Sequence, residues 1–133
     1  MRLVVDTGVF SASLSPRRRA AFERPVARLV GNQLFLASPT VAELRFGALV
    51  AGWGDARRGR LEAAIGSMTV VPVTDALLTA IAELRHACRL IGHPLAARAH
   101  SSDLWIAATA VHIRAGLVTA DGIFDGTPDL ALG

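Results

Sequence analysis

Short apolar runs separated by helix-patterned stretches constrain this chain more than any other feature. "LVVD", "QLFLAS", "MTVVPV" and "LVTAD" are too short for helices and too continuous for strands with one wet face. Strands covered on both faces read this way, as in a parallel sheet packed between helices. The stretches between them carry helix start and stop signals. In "SPTVAELRFGALVAG" Ser38 is read as the cap, Pro39 as the first helical position and Gly52 as the stop. "DALLTAIAELRHACRLIG" runs from Asp75 as cap to Gly92 as stop, and "DARRGRLEAAIG" and "SDLWIAATAVHIRAG" are further helices. "RRRAAFERPVARLVG" is a helix interrupted or restarted near Pro25. Pro72 places the third strand at a sheet edge or ends it, and "LALG" supplies a short edge strand. Alternating strands and helices predict an α/β domain with a parallel sheet. Nothing in the 133 residues reads as a linker or a repeat, so a single domain with one hydrophobic core is expected over 1–133.

Composition removes several classes. The lone cysteine, Cys88, forbids an internal disulfide and a cysteine-rich zinc site. No apolar run approaches the roughly 18 residues of a membrane span, and the short run after Arg2 is no signal peptide, so a cytoplasmic protein is expected. All 14 basic side chains are Arg, and there is no Lys. Ammonium chemistry is therefore absent, while planar guanidinium forks suited to phosphate are plentiful. The formal charge of +3 is modest, but Arg17-Arg18-Arg19 and Arg57-Arg58 are clusters. They read either as nucleic-acid contacts or as solvated helix faces.

The acids are more pointed. There are 11, and four stand at comparable places in the elements. Asp6 ends the first strand, Glu43 lies early in the helix after the second, Asp103 opens the helix before the last main strand, and Asp121 follows that strand. The functional crevice of an open α/β sheet lies beyond the carboxyl ends of its strands. Each acid alone has a plain explanation. Asp6 is a helix cap, Thr40 and Glu43 have capping-box spacing, Asp103 favours a helix N-terminus, and Asp121-Gly122 is a turn pair. Four together repel one another, and a fold that gathers them normally supplies cations. Oxygen donors without His or Cys select Mg²⁺ or Mn²⁺.

In order and spacing, "LVVDTGVF", "SPTVAELRFG", "SDLWIAATA" and "LVTADGIF" resemble the motifs of PIN-domain ribonucleases, and more narrowly of VapC-type toxins from bacterial toxin–antitoxin pairs. The resemblance covers almost the whole chain and is weakest from Gly52 to Arg98. It implies a PIN-like three-layer α/β/α sandwich with a central, mostly parallel sheet of four to five strands. It implies Mg²⁺- or Mn²⁺-dependent endonucleolytic cleavage of RNA, restrained by a cognate antitoxin, in a protein that pairs as a homodimer. Carried over by motif, Asp6, Glu43, Asp103 and Asp121 form the acidic site, with Thr7 and Thr119 as auxiliary hydroxyls. Many relatives have an acid or Asn where Ser102 stands, and an acid where Ile123 precedes Phe124. Asp125 is the reserve ligand.

Around that core, Arg17, Arg18 and Arg19 are expected to hold RNA phosphates. Aromatic residues are too few for base stacking to dominate recognition. His93, His100 and His112 read as loop or surface residues, with only His100 close enough in sequence to Asp103 to meet substrate, and Trp105 reads as packing. Other α/β classes fail on missing residues. A phospho-receiver needs a Lys, a haloacid-dehalogenase phosphatase needs D-x-D where "DTG" stands, and a Walker nucleotide site needs G-x-x-x-x-G-K. A PIN-like module that binds RNA without cutting it remains the alternative.

Overall fold

The computed structural model describes all of residues 1–133. In chain order the elements are β1 (Arg2–Val5), α1 (Thr7–Leu14), α2 (Pro16–Arg19), α3 (Glu23–Ala27), β2 (Gln33–Leu36), α4 (Ser38–Val50), α5 (Asp55–Gly66), β3 (Thr69–Val70), α6 (Asp75–Leu90), α7 (Ser101–His112), β4 (Gly116–Val118) and β5 (Ala131–Leu132). Single 3-10 turns cover Ala20–Phe22, Pro94–Ala96, Arg98–His100 and Gly122–Phe124. The five strands pair in the order β3-β2-β1-β4-β5, every pair parallel. From β1 the chain moves outward to β2 and β3, then crosses back to β4 and β5. The direction reverses between β1 and β4, which makes that junction the switch point where such sheets bind ligands.

Strand side chains alternate between two faces. Val4, Phe35 and Leu117 point to one side, where they meet Leu84 and Cys88 of α6 and Leu104, Ile106 and Ala107 of α7. Leu3, Val5, Leu36 and Val118 point to the other, against Val9 and Phe10 of α1, Val41 of α4, and Leu61 and Ile65 of α5. The continuous apolar runs are thus explained, because both faces are covered. The expected single core is corrected by the same geometry: the sheet divides it into two apolar clusters, one on each side.

Helix ends refine the sequence reading. Ala37, not Ser38, is the N-cap of α4; Ser38 is already helical, and its hydroxyl donates to the Val71 carbonyl at 3.4 Å. Thr74, not Asp75, caps α6 by accepting from the Leu77 N–H at 3.2 Å. Gly52 and Gly92 do follow helix ends with φ of +67° and +70°, a conformation that Gly adopts freely. Pro25 falls in the first turn of α3, where a missing N–H costs nothing. The third strand is only two residues long. Val71 still donates to Leu36 at 2.9 Å, but Pro72 has no N–H with which to continue the ladder.

Candidate acidic site at the sheet switch point

Parallel pairing brings the ends of β1 and β4 together. The Asp6 N–H donates to the Val118 carbonyl at 3.0 Å, so the residues after both strands leave the sheet side by side. Asp6 is only 9 % exposed. Its Oδ1 accepts from the Thr7 N–H at 2.9 Å, which makes it the N-cap of α1, and its Oδ2 accepts from the Thr119 hydroxyl at 2.7 Å. Thr119 Oγ1 in turn accepts from the Asp121 N–H at 3.0 Å, and Asp121 Oδ1 accepts from the Ile123 N–H at 3.0 Å. A continuous hydrogen-bonded chain therefore links Asp6 to Asp121 across the switch point.

The other two acids arrive on helices that begin at the same rim. Thr7 donates its hydroxyl to Thr40 Oγ1 at 3.0 Å, tying α1 to α4. Thr40 is fully buried and lies inside α4 rather than at its cap, so the capping-box reading of Thr40 and Glu43 is corrected. Glu43, one turn further, lines the cleft. Asp103 sits in the first turn of α7, with His100 Nδ1 3.5 Å from its Oδ2. Asp6, Glu43, Asp103 and Asp121 share one cleft of about 560 Å³ with Thr7, Gly8 and Phe22, and no basic side chain lines it. In a chain with 14 arginines, none of these four pairs with one.

Burial pushes the Asp6 carboxyl above its ordinary range; the hydrogen bonds from Thr119 and Thr7 oppose the shift, and the charges of Asp103 and Asp121 add to it. A buried carboxylate facing two others is the environment that a divalent cation relieves. The donor set fits a hard cation, being all oxygen and on one cleft. Yet no three acids, histidines or cysteines converge as a closed cage. Both Asp6 oxygens and one of Asp121 are held by local donors. Glu43 and Asp121 are exposed and Asp103 half-buried, so all three are less enclosed than Asp6.

Other sequence-derived positions separate from this cluster. Arg17, Arg18 and Arg19 are exposed on α2 and do not line the cleft; Arg19 donates to the Ser13 carbonyl at 2.7 Å. The residue of that segment that reaches the cleft is Phe22, whose ring would stand 3.6 Å from a Cβ placed on Gly8. Asp125 does not line the cleft either, although its Oδ2 would stand 3.7 Å from a Cβ on Gly122, which does. Trp105 is half-buried away from the cleft, in keeping with packing, and its indole N–H is enclosed without an acceptor. Trp53 carries the Arg57 guanidinium over its ring at 4.0 Å. Thr40 and Phe22 were missed as site residues. The T-x-x-E spacing disguised the first, and nothing marks a single aromatic after an Arg run.

This fold and this rim of acids define a class. The chain belongs to the PIN domain family, whose profile matches residues 3–130. More narrowly, it is 32% identical over 123 residues to Ribonuclease VapC5 of Mycobacterium tuberculosis, a match covering 91% of this chain and 84% of that protein. Among solved structures it is similar to VapBC-5 of Mycobacterium tuberculosis, a member of the VapBC family of toxin-antitoxin systems (30% identity, TM-score 0.63, 98% of this chain and 96% of that one). It is also similar to FitAcB of Neisseria gonorrhoeae (26%, TM-score 0.75, 98% and 95%). VapBC2 of Rickettsia felis, bound to a DNA fragment from its promoter, shares the fold (20%, TM-score 0.77, 100% and 98%). The expected sandwich is borne out, with five parallel strands between two helical layers.

Proposed function

We propose that this chain is a metal-dependent endoribonuclease toxin that cleaves RNA and is neutralised by a cognate antitoxin. One observation carries the reading: four carboxylates from four separate elements line a single cleft at the sheet switch point, and none of them pairs with an arginine. Kinship with a VapC ribonuclease supports the substrate class. Asp6, Asp103, Asp121 and Glu43 would hold Mg²⁺ or Mn²⁺, which when bound activates water and stabilises the leaving oxygen of a phosphodiester. Asp6 is the fixed member, since Thr7 and Thr119 hold both of its oxygens. Thr119 sets the spacing between Asp6 and Asp121 because it bonds to both. Asp125 stands in reserve beside Gly122. Arg17 and Arg18 hold phosphates that flank the cleft rather than the one being cut, and recognition rests on backbone charge and RNA shape.

The assay is cleavage of RNA by purified protein in EDTA and after restoring Mg²⁺ or Mn²⁺. Cleavage that persists in EDTA overturns the metal requirement. RNA binding without cleavage in either condition favours the non-catalytic module. Thr119→Val keeps the shape but loses the bond to Asp6, and removal of such a supporting partner typically costs about 10–100-fold in metal affinity or activity. Activity of Thr119→Val within about twofold of the parent would remove Thr119 from the machinery.

Phe46, Leu49 and Val50 expose an apolar face on α4 beyond Glu43, and Leu78 is exposed on α6. We assign these to partner contacts: an antitoxin whose C-terminal segment blocks the acidic rim, and a second copy of this chain. Light scattering of the isolated chain should give the mass of a dimer; monomer alone at high concentration counts against pairing.

A further inference from the structure

His93 reads from the sequence as an ordinary loop residue, but the structure gives both of its ring nitrogens a partner. Nδ1 accepts from the Leu95 N–H at 3.1 Å, which makes His93 the N-cap of the Pro94–Ala96 turn. Nε2 lies 2.8 Å from the Asp125 carbonyl. An amide N–H only donates and a carbonyl only accepts, so a single neutral tautomer, with the proton on Nε2, satisfies both contacts. Nε2 is also 3.4 Å from Thr127 Oγ1, whose hydroxyl donates to the Phe124 carbonyl at 2.7 Å.

Asp125 ends a small structure of its own. Asp121 caps the turn Gly122–Phe124, the Asp125 N–H returns to the Gly122 carbonyl at 3.1 Å, and Phe124 is buried beneath. This arm joins β4 to β5 and belongs to neither strand. One end carries Asp121 into the acidic cleft, where Thr119 holds it. The other end is held by His93, which stands just beyond Gly92 at the end of α6.

We infer that His93 is a positioning residue that clamps the arm 121–125 and so sets where Asp121 meets a cation in the cleft. The inference rests on the metal site proposed above. Two variants divide the ring's two bonds. Asn places an acceptor where Nδ1 is, so His93→Asn keeps the cap on Leu95 and loses the clamp. Gln places a donor where Nε2 is, so His93→Gln keeps the clamp and loses the cap.

The test compares both with the parent by hydrogen exchange of the metal-free proteins and by thermal melts titrated with Mg²⁺. In His93→Asn the amides of Ile123 and Asp125 should exchange at least about tenfold faster. Its Mg²⁺ concentration for half-maximal melt shift should rise about tenfold, the lower end for a supporting partner of a metal ligand. His93→Gln should match the parent in both, even if it melts lower for want of the cap. Faster exchange in His93→Asn with an unchanged Mg²⁺ midpoint overturns the positioning role, as does a His93→Gln that behaves like His93→Asn. A parent that binds Mg²⁺ but cuts no RNA would overturn the proposed activity instead, and the exchange and melt data would still decide the clamp.

Discussion

RNA cleavage is expected to fall by at least about a thousandfold in Asp6→Asn and in Asp103→Asn, and growth inhibition on expression to be relieved. The size follows from the metal's role. Stabilising the charge of a phosphodiester transition state supplies several kcal/mol, and each 1.36 kcal/mol is a factor of ten in rate. The Asp6 variant is informative because Asn preserves the local structure. Its Oδ1 can accept from the Thr7 N–H, and its Nδ2 can donate to Thr119 Oγ1, which already accepts from Asp121. The cap of α1 and the link across the switch point then survive, and only the charge is gone. Initial rates on a defined RNA, with Mg²⁺ varied, measure the loss. An Asp6→Asn protein that cuts as well as the parent removes Asp6 from the ligand set. Asp103 has no comparable burial, so its variant tests whether α7 contributes a ligand or only a favourable charge at a helix start.

The acids were legible in the sequence because each stands at a place that topology makes equivalent. Asp6 and Asp121 follow neighbouring strands, while Glu43 and Asp103 lie in the first two turns of helices at the same rim. The apolar runs revealed the parallel sheet because burial on both faces leaves no polar alternation. What stayed hidden depends on contacts between distant segments. Thr40 looks like the start of a capping box, and only the packing of α1 on α4 shows its hydroxyl meeting Thr7, 33 residues away in sequence. His93 looks like a loop residue until the arm after β4 folds under it, 32 residues later. The place of the arginines was hidden for a related reason. They follow Asp6 closely in sequence, but they do not line the cleft, and Phe22 is the residue of that segment that does.

Excess Mg²⁺ should raise the melting temperature of the parent by about 10 °C and that of Asp6→Asn far less. Mass action at a hundredfold excess over Kd contributes about 2.7 kcal/mol, and a chain of this size shifts by roughly 4 °C per kcal/mol. The metal-free proteins should order the other way. The folded-state pKa of Asp6 is raised above its unfolded value of 3.8, chiefly by burial. Folded protein therefore holds that proton more tightly than unfolded protein does. Stability from this group is greatest below 3.8, is lost as pH rises through the folded pKa, and at neutral pH the whole cost of ionisation is present. Asp6→Asn removes the cost while keeping both hydrogen bonds, so in EDTA at neutral pH it should melt above the parent. That advantage should vanish on acidification, as the parent's carboxyl takes up its proton. Asp55→Asn is the control for lost acidic charge, since Asp55 is exposed and only 3.9 Å from Arg58 outside the cleft. It should respond to Mg²⁺ as the parent does. If parent and Asp6→Asn gain equally from Mg²⁺, Asp6 is a helix cap and nothing more, and the cation, if it binds, is held without it.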